Sequence, residues 1–68
     1  MNILGMRIKE ERKVKGLSQL DLAQKLGVVQ HVVSRYENNI IRPSLEVLVL
    51  LADILEVSTD YLLGRQDF

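Results

Sequence analysis

A chain of 68 residues has room for one domain and a small core, which is marginal unless its helices pack well or it gains a partner. With no Cys and one His, the composition leaves no disulfide framework or thiolate metal site and argues against structural zinc, so no metal or cofactor is expected. No apolar run reaches the ~18 residues of a membrane span, no basic-then-apolar leader opens the chain, and net charge is zero, so a cytoplasmic protein without a membrane partner is expected.

A first helix is predicted over Leu4 to Lys15, ending at Gly16. Its apolar stripe is thin, chiefly Leu4, Ile8 and Val14, with Glu11 and Arg12 where another anchor would sit. The basic residues here either flank a phosphate backbone or form an ordinary solvated surface. Ser18 then makes a good N-cap, and Asp21 three residues on completes a capping-box-like start. Leu22, Ala23 and Leu26 fall on one face of this second helix, and Gly27 ends it without a Cβ penalty.

The third helix, from about Gln30 to Asn38, carries the functional signal. At about 100° per residue, Gln30, His31, Ser34, Arg35 and Asn38 share an arc roughly 140° wide. Val29, Val32, Val33 and Tyr36 take the other side, with Glu37 between. A row of amides, an imidazole, a hydroxyl and a guanidinium can hydrogen-bond base edges and phosphate oxygens. A merely solvated face would more often mix Lys and Glu at (i, i+4). This pattern is that of the recognition helix of a helix-turn-helix.

Asn39-Ile40-Ile41-Arg42-Pro43 reads as a loop in which Pro43 stops the helix and Arg42 can reach a phosphate. Ile40 and Ile41 either tuck into the core or meet a partner. Ser44 caps a fourth helix through roughly Leu55, with Leu45, Leu48, Leu51, Ala52 and Leu55 as its core stripe. A second stripe, Val47, Leu50 and Ile54, is either further core or a self-association surface joined by Leu62 and Phe68; the dimer reading is favoured. Ser58 caps a short fifth helix, Thr59 to Leu63, closed by Gly64. The expected fold is all-α, a compact five-helix bundle forming one domain over residues 1–68 with its core at about 4–64.

Charge is not spread evenly over these elements. Residues 1–42 hold eight basic side chains against four acidic ones, a net +4, and residues 43–68 hold one against five, a net −4. The zero total argues against a nucleic-acid partner, but the split lets one end face phosphate while the other cannot.

Three runs, RIKEERKVKGLSQLDLAQKLGV, VVSRYENN and RPSLEVLVLLADILEVSTDYLLG, resemble the lambda-repressor-like domains of the Cro and phage-repressor type, the XRE family, over almost the whole chain. The resemblance implies a five-helix bundle that binds palindromic double-stranded operators as a homodimer, with the third helix in the major groove. It implies a phosphate-contacting, bracing role for Gln19 and base reading by Gln30, His31 and Arg35, with Gln to adenine and Arg to guanine as the natural pairings. Ser34 would touch a base or phosphate, Asn38 and Arg42 the backbone, and Val32 either thymine methyls or the core. Arg12 and Glu37 match positions of a largely buried ion pair. Val29 stands where relatives often carry a capping Ser or Thr, and Asn39 where they often carry Gly. Protonation of His31 would couple affinity to pH.

Enzyme readings lack parts: there is no Cys, no Gly-rich phosphate loop and no metal cluster, and no small-molecule ligand is evident. The rival reading is a protein-interaction module, antitoxin-like in use, built on the same bundle. The expected function is a sequence-specific transcriptional regulator, a repressor.

Overall fold

The computed structural model describes residues 3–68. Five helices follow in order: α1 (Ile3–Val14), α2 (Gln19–Leu26), α3 (Gln30–Glu37), α4 (Leu45–Leu55) and α5 (Thr59–Leu62). No strand occurs among the described residues, and no described helix is long and apolar enough to cross a membrane. Local chemistry starts three of the helices. Ser18, Ser44 and Ser58 each accept a hydrogen bond from the backbone N–H three residues on, satisfying a first-turn donor that has no intrahelical partner.

The core gathers one stripe from each helix. Leu4, Ile8, Leu22, Ala23, Leu26, Val33, Tyr36, Leu48, Leu51, Ala52, Leu55 and Leu62 are buried together. α3 packs against α1 and α2, while α4 and α5 close the far side against α1. Arg7 fastens α5 to α1: its Nη1 donates to the Tyr61 and Gln66 carbonyls at 2.6 Å each, and its guanidinium lies 4.2 Å from the centre of the Tyr61 ring. Tyr61 Oη donates to Glu11 at 3.3 Å. Burial first, and the Glu11 carboxylate second, push the Tyr61 phenol above its ordinary value.

Three expectations are corrected. Leu62, expected on a self-association surface, is 0% exposed and belongs to the core, because α5 is a short plug whose apolar side points inward. Leu45, expected in the core stripe of α4, is 78% exposed because it is the first residue of that helix and projects beyond its neighbours. Val14, at the last residue of α1, is likewise exposed; the buried line of Leu4 and Ile8 continues to Arg12, on the other side of the helix. The second stripe of α4 divides: Val47 and Ile54 are half-buried against the core, and Leu50 faces solvent. Ile40 and Ile41 are both exposed.

Candidate nucleic-acid interface

The geometry around α3 begins with the start of α2. Ser18 Oγ accepts from Asp21 N at 2.9 Å while Asp21 Oδ2 accepts from Ser18 N at 2.9 Å. These hydrogen bonds hold the Asp21 carboxyl below its ordinary value. The reciprocal cap fixes Gln19 as the first residue of α2. Gly27, at φ 75°, then turns the chain in the left-handed region, where a side chain would be strained, and α3 follows after two residues.

α3 is anchored from below. The Glu37 carboxylate accepts Arg12 Nε at 2.6 Å and Nη2 at 3.1 Å, a two-pronged charged pair buried between α1 and α3. Gln19 Nε2 adds a third donor to Glu37 at 3.1 Å, and Arg12 Nη1 reaches the Leu17 carbonyl at 2.8 Å. No buried side-chain polar atom among the described residues lacks a partner. The expected ion pair is therefore present, and Gln19 braces the end of α3 from the start of α2.

The outer face is assembled as the helical arc requires. Gln30, His31, Arg35 and Asn38 are exposed, and Ser34 is half-buried. A surface groove is lined by Gln19, Val29, Gln30, His31 and Ser34, so the start of α2 and the first turns of α3 share one concavity of mixed polar and apolar lining. Asn38 Nδ2 donates to the Ser34 carbonyl at 2.9 Å and lies 3.4 Å from its hydroxyl. Val32 is half-buried and packs against the core. Val29 holds the N-cap position with no side-chain cap, and its carbonyl accepts from Val32 N at 3.0 Å. Arg42 is exposed in the α3–α4 loop, apart from the arc in sequence.

One contact escaped the sequence reading. Asn39 Oδ1 accepts from Gly5 N at 3.1 Å, joining the end of α3 to the start of α1. The only hint was Asn in place of a common Gly.

A helix-turn-helix family profile matches residues 8–62 of the chain. The chain belongs to the Cro- and phage-repressor-type helix-turn-helix family. The regulator ImmR of Bacillus subtilis (strain 168) is 39% identical over 64 residues, covering 94% of this chain and 50% of the relative. The P22 c2 repressor in complex with a synthetic operator superposes with a TM-score of 0.84 at 33% identity, covering 88% of this chain and 91% of that one. SinR, the master regulator for biofilm formation, in complex with DNA gives a TM-score of 0.80 at 41% identity, covering 88% and 97%. The chain spans about half to six-tenths of the length of the curated relatives it matches. Within this helix-turn-helix unit α2 and α3 are the paired helices, and the relatives are named as transcriptional regulators rather than enzymes.

Proposed function

We propose that this chain is a sequence-specific, double-stranded-DNA-binding transcriptional regulator, a cytoplasmic repressor acting as a homodimer on a palindromic operator. Its single domain, with a core at about 4–64, would lay α3 in the major groove of each half-site. The observation that carries this reading is the shared concavity of Gln19, Gln30, His31 and Ser34, with Arg35 beside it on the exposed arc of an anchored helix. Arg35 is assigned to guanine O6/N7 and Gln30 to adenine, the bidentate pairings their geometry allows. Gln19, Ser34, Asn38 and Arg42 are assigned to phosphate and register, His31 and the outer methyls of Val32 to base edges. DNA-bound relatives at 33% and 41% identity support the same partner.

In vitro selection from random duplexes, followed by a salt titration on the winners, tests the reading. Enrichment of a two-fold-symmetric motif, with affinity falling steeply as salt rises, is the expected result. Binding that shows neither enrichment nor salt dependence overturns it in favour of a protein partner.

A further inference from the structure

The end of α3 meets the start of α1 more closely than any side chain would permit. A Cβ on Gly5 would lie 2.5 Å from the Glu37 carbonyl oxygen, 2.6 Å from that of Tyr36 and 2.8 Å from Asn39 Oδ1. Two of these three atoms are backbone of α3 itself, so neither can move aside without moving the helix. Gly5 is buried, and its N–H is one of the first-turn donors of α1 that no intrahelical carbonyl can satisfy. Asn39 Oδ1 satisfies it at 3.1 Å.

Asn39 also closes α3. It sits at φ 58°, its N–H donates to the Tyr36 carbonyl at 3.2 Å, and Ile40 N donates to the Arg35 carbonyl at 2.9 Å. One residue therefore terminates the helix in the left-handed conformation and caps the next-but-one helix back in the chain. We infer that Gly5 and Asn39 are positioning residues for DNA reading: their latch sets how close the C-terminal end of α3 lies to α1, and so fixes its tilt in the groove.

Arg12 holds Glu37 two turns further along α1, which gives the end of α3 two attachment points on one helix. Two points constrain rotation where one would leave a pivot. A base-reading side chain must be held to within roughly 0.5 Å and 10–20°. The inference rests on the proposed DNA-binding function, and two variants separate the two.

Asn39→Gly keeps the left-handed backbone and removes the acceptor. Asn39→Asp keeps the acceptor. Each is compared with the wild-type chain by the ratio of affinities for a duplex obtained by selection and a scrambled duplex of equal length, at one salt concentration and below the melting transition of all three. Expected is a loss in this ratio of about fivefold or more for N39G, the scale of one weakened base contact, with the salt slope unchanged. N39D should keep the ratio even if its added charge lowers both affinities. A ratio in N39G within twofold of wild type, or an equal fall in N39D, overturns the latch. Should N39G not fold, Gly5→Ala, whose Cβ would press on the same carbonyls, takes its place: a fall in the ratio with the salt slope unchanged supports the latch, and a ratio within twofold of wild type overturns it. Failure of the wild-type chain to discriminate at all removes the DNA-reading function instead.

Discussion

Arg12 and Glu37 are the two buried charged side chains among the described residues, at 8% and 6% exposure. Taking a guanidinium and a carboxylate out of water costs several kcal/mol, which their attraction offsets only when every donor and acceptor is used. Here both prongs engage, and Leu17 and Gln19 take up remaining capacity. Removing one partner strands the other. Glu37→Ala or Arg12→Ala should each lower unfolding free energy by about 3–5 kcal/mol in urea titration, a large share of the roughly 5–15 kcal/mol of a whole domain. Replacing both with apolar residues of similar volume should recover most of that loss. A single-variant loss below about 1 kcal/mol would mean that water reaches the pair. Leu62 makes a different point at the same scale. Its full burial predicts that Leu62→Ala costs about 2–5 kcal/mol, seen as a lower melting midpoint.

At the scale of the element, all five helices end in one way. Each places a residue in the left-handed region, and the next N–H reaches back to a carbonyl five residues earlier: Leu17 to Arg12, Val28 to Ala23, Ile40 to Arg35, Val57 to Ala52 and Arg65 to Asp60. Gly16, Gly27 and Gly64 supply that conformation freely, but Asn39 and Glu56 carry a side chain through it. Glu56→Gly should therefore raise the melting midpoint, because the Lys15–Glu56 ion pair lost with it is exposed and adds little. Lys15 holds the Glu56 carboxyl below its ordinary value, and Ser18 does the same for Asp21. A depressed carboxylate contributes stability above its unfolded pKa and loses it as pH falls through the folded value. Asp21→Asn should accordingly flatten the acid side of a stability-versus-pH curve measured from about pH 5 downward. These terminal signals were legible in the sequence because capping is local: Ser18, Gly27, Ser44 and Ser58 act within a few residues. Burial at the ends of helices was not. Leu45 keeps the period of its stripe but lies where the neighbouring helices no longer reach, Val14 falls off the Leu4–Ile8–Arg12 line that α1 buries, and a helix of four residues gives Leu62 no period to read. The arc on α3 was legible because eight residues span two turns. The Gly5–Asn39 contact joins residues 34 apart, and only docking of two helices brings them together.

At the scale of the molecule, the opposed charges of residues 1–42 and 43–68 orient approach rather than strengthen it. A body with no net charge feels a duplex chiefly through its dipole. Loss of Arg42 should weaken all sequences alike and reduce the salt slope by about one, whereas Arg35→Ala should cost about 1–3 kcal/mol and relax preference at one base pair. Dimerisation is the remaining question of scale, and size bears on it. Half-site centres one helical turn apart are separated by about 34 Å, and the bundle measures 28 × 23 × 19 Å, so two copies on one face of a duplex come within side-chain reach of each other when the long axis of each runs along the duplex. Leu50 and Phe68 are exposed and Ile54 half-buried, an apolar set that such a contact could cover. Leu50→Glu should then weaken binding to a duplex with two half-sites while leaving a single half-site unchanged. Inserting about 5 base pairs between half-sites turns the second copy to the opposite face of the duplex, and should lower wild-type affinity to the single-site value. Titrations of wild type and variant on the three duplexes check both. Equal losses for Leu50→Glu on one and two half-sites would move the contact off this face, and indifference to the insertion would mean that the two copies bind independently.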